Sequence, residues 1–371
     1  MMKNYDIVAA GLICLDISPA FESGQPQDFG TIFRPGKLIN MDGVTISTGG
    51  AVSNTGFALS RMGLRVLPAA KLGCDPFGSL IADIAEKETG NRIVPQPGVR
   101  SSYSIVLSPP GIDRIILHDP AGNNEFGVDD IDFAEVKKAS FFHFGYPTLM
   151  KKVYKDDGDE LMRIFAAAQA AGAVTSLDMA LPDPASESGR VDWQTVLTKT
   201  LPYVDLFMPS MEEALYMLDR REYERVVDGG ALDFASIRAL GEKILGMGAR
   251  LALIKCGIHG IYIKSSSRME GSFKKREIFQ PSYKVARFKS ALGSGDTAIA
   301  GFLAALIKGF ELEVCARFAC ATGALCCTTY DAISAIHPLE QIATLLDRPL
   351  NDTSLPAGHL HFDDKERMYI I

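Results

Sequence analysis

The sequence predicts an α/β fold: a doubly wound, mainly parallel sheet flanked by helices, with a small β-lid. Three observations carry that prediction. Short apolar runs alternate with segments of helical length, the pattern of strand–helix–strand crossovers. Two stretches interrupt the alternation with brief polar–apolar zigzags, which suit thin strands with one wet face better than a strand buried on both sides. Two pairs of glycines stand just ahead of apolar helices, where open sheets bind their ligands.

Residues 5–15 read as a first apolar strand ending at Asp16. The polar stretch that follows contains Thr31-Ile32-Phe33 and then Val44-Thr45-Ile46-Ser47, two alternating pieces assigned to the lid. Gly49 and Gly50 open an apolar helix that presents Asn54 in its first turns. Residues 77–88 form a helix, and residues 101–107 and 114–118, joined at Pro109-Pro110-Gly111, form a hairpin. Strands at 141–144, 174–178, 206–208 and 251–255 then alternate with helices at 159–171, 212–218 and 237–247. The lid is thus built from about 17–48 and 99–125 of a domain covering 1–346, and 347–371 reads as a polar, loosely structured C-terminal extension.

Composition excludes several classes. The chain has 371 residues, 47% of them hydrophobic and 22% charged, enough for a large core. A net charge of −7 without a Lys/Arg-rich run gives no footprint for nucleic acid. No run approaches the ~20 apolar residues that span a bilayer, and no secretion signal is visible, so no membrane partner and a cytoplasmic location are expected. The seven cysteines match no zinc spacing and read as core thiols. His359 and His361 with Asp363 and Asp364 could be drawn as a metal site, but two histidines without a third ligand rarely specify a metal.

The chemistry concentrates in Gly293-Ser294-Gly295-Asp296, directly before an apolar helix at 297–307. Backbone N–H groups at such a helix start have no partner within the helix and form a pocket for a phosphate or a developing oxyanion. Asp296 beside them is a general base next to an anion hole, which is what phosphoryl transfer to a hydroxyl requires. Taken alone, the segment reads equally well as a capped helix. Gly49, Gly50 and Asn54 repeat the arrangement, with an amide that can donate to and accept from a hydroxyl. A Rossmann fingerprint and a P-loop are both absent.

These two segments resemble the signatures of the ribokinase-like (PfkB) carbohydrate kinase family. Asp16, Gly73-Cys74-Asp75-Pro76-Phe77-Gly78, Pro209 with Glu213-Ala214, and Gly257 with Gly260 follow in the family's order, over about residues 5–335. The resemblance implies a ribokinase-like fold, ATP as phosphoryl donor, Mg²⁺, and a small sugar or nucleoside as acceptor. It implies Asp296 as catalytic base, with Gly293, Ser294 and Gly295 as the anion hole. Asp16, Gly49, Gly50 and Asn54 would hold the acceptor; Ser210, Lys255, Gly257 and Gly260 would lie along the nucleotide; Glu213 would organise magnesium through water. A homodimer formed through the lid is a further implication.

Several positions depart from the family pattern. Ser290-Ala291 replaces the Asp-Thr associated with an activating monovalent cation, so a potassium requirement does not carry over. Ser210 stands for the usual Asn, Lys255 for a common Thr, and Asp331-Ala332 for Gly-Ala. Two alternatives follow. A nucleoside kinase would stack its base on lid aromatics such as Phe33 or Tyr103, and a catalytically weak, kinase-like protein would bind a sugar without turnover. His118 and Arg114 on the hairpin are candidates to meet an acidic substituent on the acceptor.

Overall fold

The structure, a computed structural model, describes residues 3–21, 29–109 and 115–371. Pro110, Gly111 and Arg114 of the expected hairpin lie outside the described residues. Fourteen strands are seen among the described residues: β1 (Tyr5–Gly11), β2 (Cys14–Phe21), β3 (Met41–Gly49), β4 (Val66–Ala69), β5 (Tyr103–Leu107), β6 (Ile115–Asp119), β7 (Ala139–Gly145), β8 (Val174–Asp178), β9 (Leu206–Phe207), β10 (Leu251–Lys255), β11 (Gly260–Ser265), β12 (Glu277–Pro281), β13 (His361–Asp363) and β14 (Met368–Ile370).

The central sheet runs in the order β4-β1-β7-β8-β9-β10-β11-β12-β14-β13. Its half from β4 to β10 is parallel and the remainder antiparallel. Side chains alternate across each strand, so both faces are buried. Val8 and Ala10 of β1 and Phe142 and Phe144 of β7 join one apolar cluster, whereas Ile7 and Ala9 join the cluster on the opposite face. That second cluster contains the helix Ser294–Ile307, buried nearly all round and packed on the helix Leu312–Cys326. The doubly wound, mainly parallel sheet expected from sequence is present.

A second sheet, of order β3-β2-β5-β6, stands apart from the first. It occupies the two interrupting stretches. Val44, Ile46, Ile116 and Leu117 on it are exposed. A third apolar cluster, including Ile13, Leu15, Phe57 and Ile81, packs at its base. There the helix Pro76–Thr89 starts at Asp75, whose side chain accepts from Gly78 N at 2.8 Å, and ends at the left-handed Gly90.

Three local expectations are corrected. The first strand does not continue to Asp16: β1 stops at Gly11, and Asp16 lies in β2, paired with Ser47 and Ser104. Gly11 makes the break, because its φ is +118° and a Cβ there would sit 2.4 Å from Gly145 O. Thr31 and Ile32 belong to a one-turn helix, Phe29–Ile32, since a three-residue zigzag is too short to fix a strand. The end of the chain is not loose either: β14 pairs with β12 and β13 with β14, with Met368 fully buried.

Candidate active site

Asp296 sits in the first turn of Ser294–Ile307 and is 4% exposed. Tyr146 Oη donates to both of its carboxylate oxygens at 2.7 Å, and Asn54 Nδ2 donates to Oδ2 at 3.0 Å. Tyr146 follows the end of β7 in a left-handed conformation, φ +68°. Asn54 lies in a wider π-helical turn, Val52–Phe57, whose backbone is tied to Gly50 through Asn54 N to Gly50 O at 2.8 Å. The two glycine-rich segments expected to meet therefore meet through Asn54 and Asp296.

Asp16 is connected to the same assembly at the start of the small sheet. A Cβ on Gly49 would lie 2.2 Å from Asp16 Oδ2, and one on Gly50, φ +90°, would lie 2.5 Å from Leu12 O. The glycines thus allow the turn to press against the Asp16 strand. Asp16 accepts from Cys14 Sγ at 3.4 Å, and Ser104 Oγ stands 3.1 Å from His118 Nδ1. Burial raises the Asp16 carboxyl above the usual carboxylate range, against the opposing hydrogen bonds and the His118 charge.

Behind the Gly293–Asp296 loop is a buried cation. Lys255, at the end of β10, pairs with Asp178 Oδ1 at 2.7 Å, and a Cβ on Gly295 would lie 3.5 Å from its Nζ. Burial works against charge on Lys255, but Asp178, Glu213 and Asp296 together hold its pKa above the ordinary lysine value. Burial pushes Asp178 up to about 8, Lys255 opposing and Glu213 and Asp296 adding to it. Burial also raises Glu213 and Asp296. A helix start favours an ionised carboxylate at Asp296. Desolvation outweighs the help it receives from Tyr146, Lys255 and Asn54, so this group of three carboxyls around one ammonium retains protons above the usual range.

Glu213 and Ser210 form a reciprocal cap for the helix Met211–Leu218: Ser210 N donates to Glu213 Oε2 at 2.6 Å, and Glu213 N to Ser210 Oγ at 3.2 Å. One carboxylate oxygen of Glu213 is thereby committed to the helix. Among the described residues, no group of three or more His, Cys, Asp or Glu could hold a metal by itself.

Beside the loop opens a cleft of about 450 Å³, lined by Lys255, Gly257, Gly260, Ser294 and Gly295 and by apolar side chains such as Phe288. A Cβ on Gly260, φ +125°, would strike Gln280 O at 2.0 Å, so the strand turn along this cleft requires glycine. This mostly apolar slot reaches the loop of Ser294 and Gly295 at one end.

Comparison with known proteins decides the family. The pfkB family carbohydrate kinase model matches residues 10–338. The chain belongs to that family. This kinase is 26% identical to an uncharacterized sugar kinase of Archaeoglobus fulgidus over 275 residues, 74% of this chain and 96% of the relative. It is 19% identical to the 5-dehydro-2-deoxygluconokinase of Shouchella clausii over 350 residues, 93% of this chain and 96% of the relative. The Arabidopsis thaliana ribokinase complexed with ribose and ATP shares its fold, with a TM-score of 0.69 at 19% identity, covering 92% of this chain and 99% of that one. The kinase is a phosphotransferase with an alcohol group as acceptor. No helix among the described residues is long and apolar enough to cross a membrane.

Sequence reading of the kinase missed Tyr146 and Asp178. Both stand at the carboxyl ends of parallel strands, β7 and β8, the positions at which open sheets carry their chemistry. That rule was the available signal. Of the aromatics proposed for base stacking, Tyr103 packs on Phe77 with ring centroids 5.4 Å apart, and Phe33 packs on Phe21 at 6.2 Å. Ala332 abuts the turn at Gly293, as a Cβ on Gly293 would sit 2.3 Å from its own Cβ. His359 packs on Phe234, with centroids 5.2 Å apart.

Proposed function

We propose that the kinase transfers the γ-phosphoryl group of ATP to a hydroxyl of a sugar or sugar-like molecule, with Asp296 as general base. One observation carries the reading. The Asp296 carboxylate is fixed from two sides, by Tyr146 and Asn54, at the mouth of a loop backed by the Lys255 ammonium. A base so held can take the proton of an acceptor hydroxyl without reorganising. The N–H groups of Gly293 and Gly295, at the positive end of a helix, together with Lys255, would stabilise the charge that spreads over the transferred group, whereas Ser294 N, expected in the same role, donates to Ala291 O at 3.1 Å.

Asp16 would accept two hydroxyl donors of the acceptor, with Gly49, Gly50 and Asn54 as the opposing wall. The nucleotide would lie along Ser210, Lys255, Gly257 and Gly260. Magnesium would neutralise the phosphates, and the Glu213 oxygen not engaged by Ser210 suits an outer contact to it through water.

The test is a panel of sugars, sugar acids, polyols and nucleosides incubated with ATP and magnesium, with ADP release as readout. A phosphorylated product from a sugar-like acceptor is expected, and Asp296→Asn should lower its rate by ~10²–10⁴-fold while acceptor binding persists. Binding of acceptors with no ADP release from any would establish the non-catalytic reading instead.

A further inference from the structure

The proposed nucleotide cleft has a wall from beyond residue 338, where the family match ends. Residues 349–351, in the C-terminal segment, lie along 282–284: Asn351 N donates to Ser282 O at 2.7 Å, Lys284 N donates to Pro349 O at 2.9 Å, and Tyr283 bridges Leu350. Asn351 is thereby placed on the cleft lining, next to Ser282 and Ile258.

Its amide has a defined orientation. Asn351 Nδ2 donates to Ser282 Oγ at 2.8 Å and to Tyr283 O at 3.3 Å, while the Ser282 hydroxyl donates onward to Ile258 O. A backbone carbonyl only accepts, so the nitrogen must face Tyr283 and the oxygen is left over. Among the described residues no donor reaches Asn351 Oδ1. Of the other lining side chains with oxygen or nitrogen, Lys255, Ser294, Ser282 and Tyr283, the first two belong to the anion hole and the last two are bonded within the wall, Tyr283 Oη to Leu346 O at 2.8 Å. The remaining lining is largely apolar, with Ile258 and Phe288 exposed at 74% and 66%. Two exposed apolar side chains and one oriented acceptor are the elements of a site for a flat ring with an exocyclic amine.

We propose that Asn351 is a specificity residue for the phosphoryl donor, its Oδ1 accepting from the 6-amino group of a purine, so that the C-terminal segment selects a 6-amino over a 6-oxo base. This rests on the kinase reading above. A 6-oxo purine sets a carbonyl against Oδ1 and leaves both acceptors unpaired.

Equilibrium titration of ADP and IDP, which share one phosphate chain, tests the proposal by binding alone. The wild type should bind ADP about tenfold or more tightly than IDP, since a lost hydrogen bond with an unpaired partner is worth at least ~1.4 kcal/mol. Asn351→Leu should bring the two affinities within about twofold by weakening ADP. Ser282→Ala, which removes one of the two anchors of the amide while leaving the backbone wall, should lower the ADP/IDP ratio, and it carries the test if Asn351→Leu does not fold. An equal affinity in the wild type, or a ratio unchanged in both variants, overturns the role of Asn351 and leaves the kinase reading standing. Binding of neither nucleotide overturns both.

Discussion

The hydroxyl of Tyr146 donates to both carboxylate oxygens of Asp296 at 2.7 Å, so the base of the proposed reaction is oriented by a residue from a different strand end. The bond favours the ionised carboxylate, whereas burial disfavours it. Tyr146→Phe removes the donor and keeps the ring. Asp296 then holds its proton to higher pH, and the acid limb of kcat/KM should move upward, with a rate loss of roughly tenfold at neutral pH. A pH–rate profile whose acid limb stays in place would release Tyr146 from this role.

Gly293 and Gly295 should respond differently to one added methyl. At Gly293, φ is +74° and the new Cβ would sit 2.3 Å from that of Ala332, so Gly293→Ala should lower stability by about 1–2 kcal/mol or more and reduce activity as well. At Gly295 the new Cβ meets Lys255 at ordinary contact distance, 3.5 Å. Gly295→Ala should therefore keep its Tm while the methyl intrudes on the anion hole and slows turnover by about tenfold or more. Thermal melts and steady-state rates of the two variants separate these outcomes.

Lys255→Met leaves Asp178 buried without its cation. Breaking such a pair from one side destabilises by about 3–5 kcal/mol, which denaturant unfolding would register. Adding Asp178→Asn should recover part of that stability, because the carboxyl paired directly with Lys255 is then neutral, while Glu213 and Asp296 still face the emptied position. Turnover should not recover with it if the ammonium also serves the transferred phosphoryl group. A double variant restored in both properties would show Lys255 to be structural.

Asp16→Ala should raise the acceptor KM by about 10–100-fold, the loss of one or two hydroxyl bonds to a carboxylate, with a smaller effect on kcat. Gly49→Ala should imitate it, since its Cβ would lie 2.2 Å from Asp16 Oδ2 and must displace that side chain. If both variants leave KM unchanged, Asp16 does not hold the acceptor.

The buried helix after Asp296 and the parallel strands were legible in the sequence because each depends on local periodicity and on glycine at a forced turn. Asn54 was legible for the same reason, lying one turn beyond a glycine pair. Tyr146 was not: its role depends on a left-handed residue after β7, which no sequence pattern there requires of a tyrosine. The bend at Gly11 was hidden by an apolar run that continues through Leu15 although the chain changes sheets. The hairpin near residue 370 was masked by polar spacers, and its pairing with β12 is a long-range choice.

That bend has a mechanical implication. Within five positions of Gly11 the chain has left the central layer, so Asp16 is carried by the small sheet while Asp296 is carried by a helix packed on the central one. A molecule gripped at one end by Asp16 and at the other by Asp296 would act as a rivet between the two layers. Polyols too short to reach across would be retained by one layer alone, and reach, as much as the pattern of hydroxyls, would sort the acceptors.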